Sequence, residues 1–287
     1  MNNVFISGLG LIGSSLARAI RQRRGDVHVV GFDTDSVSLD WAARHLVIDE
    51  AAPDFASGAM NADFIILAAP VTVIATQLAA LSKLALKPGV IVTDTGSTKS
   101  NVLAAAKPLM AAGVTFIGAH PMAGSEKSGV KNGRADLFAE AHYFLVNGNG
   151  TPEQVLALRN LLSAAGAYFV ELTPAAHDEL VGAISHVPHV VAAGLTAATA
   201  QNLHDDQTKL SYAAGGFRDT TRIAASDPDL WTAIVMSNRD VISTELHNFA
   251  KNIALVQQAI DVGDAAAIRE YFTAAQQVRQ QLNQEEN

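Results

Sequence analysis

The segment Gly8-Leu9-Gly10-Leu11-Ile12-Gly13 constrains this chain more than any other. It follows the apolar run Val4 to Ser7, which reads as a strand, and opens a stretch that reads as a helix to about Arg24. A G-x-G-x-x-G set between strand and helix is the fingerprint of a dinucleotide site. Gly8 permits the tight turn, Gly10 lets the backbone approach a pyrophosphate, and Gly13 lets the helix close on the strand. The N–H groups of the first turn, including those of Leu11 and Ile12, and the positive end of the helix dipole then face the phosphates. A second strand, Val27 to Phe32, ends in Asp33, twenty residues beyond Gly13, where a carboxylate accepts from the adenosine ribose hydroxyls. Thr34, Asp35 and Ser36 offer no arginine for a 2′-phosphate, so NAD is expected as cofactor rather than NADP.

The alternation continues along the first half. Asp63 to Ala68 reads as a strand ending in Ala69-Pro70-Val71, a helix is expected over Thr72 to Lys83, and Val90 to Thr93 reads as the next strand. Ligands of such sheets sit at the carboxyl ends of the strands. Ala69, Pro70, Val71 and Thr95 are therefore expected to line the cofactor with Leu9 and the glycines. The segment Asp94-Thr95-Gly96-Ser97-Thr98-Lys99 opens another helix, for which Ser97 or Thr98 could serve as N-cap. The functional reading puts the Ser97 hydroxyl near the nicotinamide end, within reach of a reacting hydroxyl or of His120. Strand Val114 to Ile117 then runs into Gly118 to Val130, an irregular loop carrying His120, Ser125, Glu126, Lys127 and Ser128. Loops hung from a rigid strand are where catalytic groups concentrate. Tyr143 to Val146 and Tyr168 to Leu172 complete the sheet, and a domain boundary is expected near Thr173-Pro174.

Beyond that boundary the strand signals stop. Ser185-His186-Val187-Pro188-His189 sets two histidines on one helical face, with a kink expected at Pro188. With no cysteine and no adjacent carboxylate in a ligand pattern, they read as hydrogen-bonded core or cleft residues, and no metal is expected. Gly215 to Arg222 carries Arg218 and Arg222, whose forked donors match carboxylates. Asp227 is expected to begin one long helix reaching toward Ile260, with Gly263-Asp264 separating it from a last helix. The architecture expected is therefore α/β. Residues 1–173 form a Rossmann-type doubly wound parallel sheet, and residues 174–287 form an all-helical substrate and dimerisation domain. Apolar helices this long call for a partner surface, so a homodimer through this half is expected.

Composition narrows the partners. A formal net charge of −8 argues against nucleic acid or an anionic membrane, so an anionic substrate must meet a local cationic cluster. The chain has no cysteine, which excludes disulfides and thiolate chemistry. The apolar run Val187 to Ala200 is too short to span a bilayer, and a cytoplasmic protein is expected.

Taken together, these motifs resemble the prephenate dehydrogenase family of tyrosine biosynthesis over nearly the whole chain. The resemblance rests on residues 8–16, on 94–99, on His120-Pro121-Met122-Ala123-Gly124-Ser125-Glu126-Lys127-Ser128-Gly129, on Ser185 to His189, and on Phe217-Arg218-Asp219-Thr220-Thr221-Arg222-Ile223-Ala224. It implies oxidative decarboxylation of prephenate with hydride transfer to NAD+. His120 is then the proton acceptor, with Ser97 orienting it, and Arg222 grips a substrate carboxylate. It places His186 and His189 in the cleft, and gives Glu126, Lys127, Arg218 and Asp219 a part in charge and access. It brings Trp231 to the site from a second subunit, and implies a member without the appended regulatory domain that some carry. Arogenate as substrate, another two-domain hydroxyacid dehydrogenase and a non-catalytic NAD-binding protein are the alternatives.

Overall fold

The computed structural model describes residues 2–124, 127–204 and 206–282. Eight strands form one sheet: β1 (Asn2–Ser7), β2 (Val27–Phe32), β3 (Glu50–Ala51), β4 (Phe64–Leu67), β5 (Ile91–Asp94), β6 (Thr115–Pro121), β7 (His142–Asn147) and β8 (Tyr168–Glu171). Their order is β3-β2-β1-β4-β5-β6-β7-β8, with the order reversing at β1, and every neighbouring pair is parallel except β6 and β7. The doubly wound sheet is thus mostly rather than wholly parallel.

Strand alternation supplies both faces of the core. Val4, Ile6, Phe64 and Ile66 pack against α1 (Leu11–Arg23), α2 (Ser36–Arg44) and, further along, α6 (Pro152–Leu162). Phe5, Ile65, Leu67 and Val92 pack on the other side against α3 (Phe55–Met60), α4 (Val71–Leu81) and α5 (Ser100–Ala111). Runs such as Phe64 to Leu67, buried at every position, are what a strand covered on both faces requires.

After Glu171 the elements among the described residues are all helical: α7 (Pro174–Val181), α8 (Val187–Asn202), α9 (Gln207–Leu210), α10 (Gly215–Thr221), α11 (Pro228–Ser237), α12 (Arg239–Asp261) and α13 (Ala265–Leu282). Two compact units emerge, one up to Asn238 and one from Arg239 onward. In the second, α12 and α13 form a hairpin turned at Gly263, which sits at φ 69°, with Asp264 accepting from the N–H groups of Ala266 and Ala267. This hairpin leaves Phe249, Leu255, Val262, Phe272 and Val278 substantially exposed.

Two expectations need correction. The long helix expected from Asp227 to Ile260 breaks at Asn238, which leaves helical geometry at φ −125° and is buried. The irregularity expected at Pro188 takes the form of a π-helical turn at Gly182–His186 just before it, and Pro188, which has no N–H to give back into the helix, sits in the turn that follows. The π-helical turn also joins α7 and α8 into one helical run, Pro174–Asn202, long and apolar enough to cross a membrane by length and composition alone. In this fold the run places His177, Asp178 and His186 in a buried polar network.

Candidate active site

The glycine segment behaves as its sequence demands. Gly8 sits at φ +94°, and a Cβ there would stand 2.2 Å from the Ala68 carbonyl oxygen. A Cβ on Gly13 would stand 1.9 Å from the Gly8 oxygen, so only glycine lets α1 close on β1. At Gly10 a Cβ would meet nothing within 4 Å, and α1 starts there without a side-chain cap. An open backbone and uncapped N–H groups fit a pyrophosphate. Leu9 contributes only its main chain, because its side chain is wholly buried. The Leu9 N–H donates to Asp33 Oδ2 at 2.7 Å, and Asp35 N–H donates to Asp33 Oδ1 at 2.9 Å, which holds that carboxylate at the end of β2. Ala69, Pro70 and Val71 follow β4, and Thr95 follows β5 with its N–H given to the Leu67 carbonyl.

His120 does not lie in an irregular loop. It is the penultimate residue of β6, paired with Phe144, because antiparallel pairing with β7 extends the strand through Pro121. Its Nδ1 lies 2.9 Å from Nε2 of His177 on α7, and His177 Nδ1 lies 2.9 Å from Asp178 Oδ1. A carboxylate only accepts, so His177 carries its proton on Nδ1 and accepts at Nε2. His120 therefore donates from Nδ1, which leaves its Nε2 as an unprotonated base. Burial pushes the His120 imidazole well below its usual range, with His177, Lys99 and His186 adding to the effect. His177 is lowered by burial as well, against the pull of Asp178. Burial alone would raise the Asp178 carboxyl. Hydrogen bonds from His177, Ser100 and Lys99 outweigh that and hold it below the ordinary range.

Asp178 also answers the question of what caps α5. Neither Ser97 nor Thr98 does so. The N–H groups of Lys99 and Ser100 donate to Asp178 Oδ1 at 2.7 Å and Oδ2 at 2.8 Å, so a carboxylate from another helix fills the cap. Ser97 lies half-buried beside this start, and among the described residues the partner of His120 is His177 rather than Ser97. Sequence reasoning missed His177, Asp178 and the buried Lys99 as members of this cluster.

A second cluster forms among the helices. The Trp231 ring of α11 stacks on His189 with centroids 3.6 Å apart, and His186 meets the same ring edge-on at 6.1 Å. Within one chain, Ser226 and Asp227 turn the backbone so that α11 brings its tryptophan to α8. His189 donates from Nδ1 to the Ser185 carbonyl at 2.9 Å, leaving Nε2 as an acceptor. Burial lowers the His189 imidazole, and the nearby charge of Arg222 lowers it further. Buried His186 faces Asn238 Nδ2 across 3.2 Å, and burial lowers its pKa to about 4. Asn238 also donates to the Asp178 carbonyl at 2.8 Å, joining the two clusters.

Not every expected residue gathers here. Arg222 stands at the edge of the second cluster, close enough for its charge to act on His189, and is exposed at the start of a 3-10 turn, Arg222–Ala225. Arg218 donates from Nε to the Ala213 carbonyl at 2.8 Å, tied to its own turn, and exposed Asp219 lies beside it on α10. Lys127 is exposed, and Glu126 falls outside the described residues. Among the described residues no group of three histidine, aspartate or glutamate side chains is placed to hold a metal.

The sequence pattern described as "Prephenate dehydrogenase, nucleotide-binding domain" matches residues 16–171, and "Prephenate dehydrogenase, dimerization domain" matches 173–274. The chain is 37% identical over 284 residues to a prephenate dehydrogenase of Bacillus subtilis, covering 98% of this chain and 76% of that protein. A crystal structure of prephenate dehydrogenase from Aquifex aeolicus, in complex with hydroxyphenyl propionate and NAD+, superposes with a TM-score of 0.87. It is 27% identical and covers 98% of both chains. The Synechocystis arogenate dehydrogenase superposes with a TM-score of 0.79 at 31% identity, covering 99% of both chains.

Proposed function

This chain belongs to the prephenate dehydrogenase family, and from that premise we propose the following reaction and residue roles. The protein is an NAD-dependent oxidoreductase that converts prephenate to 4-hydroxyphenylpyruvate in tyrosine biosynthesis. Bound NAD+ supplies the hydride acceptor. His120 Nε2 takes the proton of the ring hydroxyl as hydride leaves the same carbon, carbon dioxide departs from the ring, and aromatisation makes the step irreversible.

The observation that carries this reading is the Asp178–His177–His120 chain, which leaves a bare nitrogen on a fixed strand end. A base must be deprotonated at working pH, and burial of His120 keeps it so. Ser97, at the end of β5, orients the reacting hydroxyl. Arg222 grips a carboxylate of the dianionic substrate beside His189, His186 and Trp231, which provides the local cation an acidic protein needs. Glu126, Lys127, Arg218 and Asp219 tune access. Gly8, Leu9, Gly10, Leu11, Ile12, Gly13, Asp33, Ala69, Pro70, Val71 and Thr95 hold the cofactor. Residues 1–173 carry cofactor and base, while 174–287 carry substrate contacts and a homodimer interface, a division supported by the family matches meeting between 171 and 173. A cytoplasmic location goes with this reading.

The test is reduced-nicotinamide absorbance with purified protein, offering prephenate or arogenate, each with NAD+ or NADP+. Turnover with prephenate and NAD+ is expected. Turnover with arogenate alone would overturn the substrate, and preference for NADP+ would overturn the Asp33 argument.

A further inference from the structure

Parallel pairing between β5 and β6 ends at Thr93 and Ile117, yet β6 runs on to Pro121 with β7 as its only strand partner. From Gly118 onward, the edge of β6 that faces β5 lacks a neighbouring main chain. At Ala119, whose side chain is fully buried, both peptide groups on that edge are nevertheless satisfied. The Ala119 N–H donates to Asp94 Oδ1 at 3.1 Å, and its carbonyl accepts from Lys99 Nζ at 2.7 Å. Lys99 Nζ also donates to Asp94 Oδ2, an oxygen that accepts from Gly96 N–H at 2.8 Å as well. Two side chains thus stand in for the missing strand, at the residue immediately before His120.

Both members of the pair are fully buried, which is uncommon for a lysine. The Lys99 stem lies against Gly118, where a Cβ would stand 3.3 Å from Lys99 Cδ. The Lys99 N–H is one of the two groups capped by Asp178, the carboxylate that sets the His177 tautomer. One residue therefore touches the strand end beneath His120 and the carboxylate behind His177.

We propose that Lys99, clamped with Asp94 around the Ala119 peptide, is a positioning residue for the reaction, aiming His120 Nε2 and fixing the charge balance of the His120–His177 pair. The proposal rests on the assignment of His120 as base. The groups facing this pair are Lys99, Asp94 and Asp178, with His186 also acting on His120. The single ammonium offsets two carboxylates. Without it, Asp94 and Asp178 would draw protons onto the histidines, and a protonated His177 Nε2 could no longer accept from His120 Nδ1.

Lys99→Met keeps the stem and removes the charge. Its kcat is expected to fall at least tenfold while NAD+ affinity holds, and the acid limb of kcat/KM should move to higher pH. Lys99→Arg should restore the limb toward its original position. A purely structural lysine would lower the folded fraction and leave the limb in place, and that result, or unchanged kcat, would overturn the proposal. If Lys99→Met fails to fold, the wild-type protein decides. Nitrogen-15 spectra should show a protonated Lys99 ammonium and a slowly exchanging Ala119 amide across pH 6 to 8, and a neutral amine or a freely exchanging amide would overturn it. These signals need no turnover, so inactivity toward both substrates would sink the His120 assignment without touching the clamp.

Discussion

The two side-chain clusters of the first unit are built in opposite ways. Around His120 the relay is held by hydrogen bonds between three elements, β6 for His120, α7 for His177 and Asp178, and the start of α5 for Lys99, and His120 Nε2 is the atom left over. Around Trp231 the contacts are ring against ring, and the cationic head of Arg222 is exposed. The first arrangement fixes one nitrogen in one protonation state, which proton transfer requires. The second leaves the Arg222 side chain exposed near the His189–Trp231 stack. In the proposed reading, chemistry and recognition are divided between a hydrogen-bonded sheet end and a stacked helical surface.

That division can be broken from the chemical side first. His120→Asn should lower kcat about 10²- to 10⁴-fold, the usual range for a positioned general base, with NAD+ affinity nearly unchanged. Stopped-flow turnover checks it, and near-normal kcat would remove His120 from the chemistry. The buried histidines should next appear in stability. The His186 pKa falls from 6.5 to about 4 in the folded state, so below pH 6.5 the unfolded chain binds the proton first and folding weakens. The loss amounts to about 3 kcal/mol once the pH is under 4. Thermal unfolding followed from pH 7 to 5 should fall more steeply for the wild type than for His186→Gln, and equal slopes would contradict the burial argument.

Smaller effects are expected on the recognition side. Arg222→Ala should raise KM for the substrate by about 1.5–3 kcal/mol, the worth of a charge-assisted contact, with kcat less affected. An unchanged KM would move the carboxylate grip to Arg218. Trp231→Ala should cost about 0.5–1.5 kcal/mol through the lost stack on His189, again read as KM. A change in kcat alone would mean that the two clusters are less separate than their contacts suggest.

The parts of this molecule legible in sequence are those decided by neighbours in sequence. Gly13 could be assigned because its constraint is the steric room of one strand–turn–helix unit, and Gly8 because the turn itself asks for a positive φ, although the Ala68 carbonyl just past β4 closes on it as well. His120 was visible as a residue type in a dense motif, but its strand geometry was not, since antiparallel pairing with β7 extends β6 past the end of its apolar run. His177 and Asp178 gave no signal. They sit in an ordinary helix start, 57 residues from His120 and 79 residues from the Lys99 N–H. The helix break at Asn238 escaped because apolar spacing continues across it. What breaks the helix there is a buried amide with partners on other elements, Asp178 and His186.

The same long separations bear on synthesis at the ribosome. Chains emerge from their N-terminus, and domains can begin to fold as they do. The eight strands are complete once Glu171 is out, so a nascent chain can own a dinucleotide fold before it owns a tuned base. Only when Asp178 arrives does His177 acquire its tautomer and His120 its bare nitrogen. Until then the sheet is shaped but its histidine is not set, and the carboxylate that sets it comes from the first helix after the sheet.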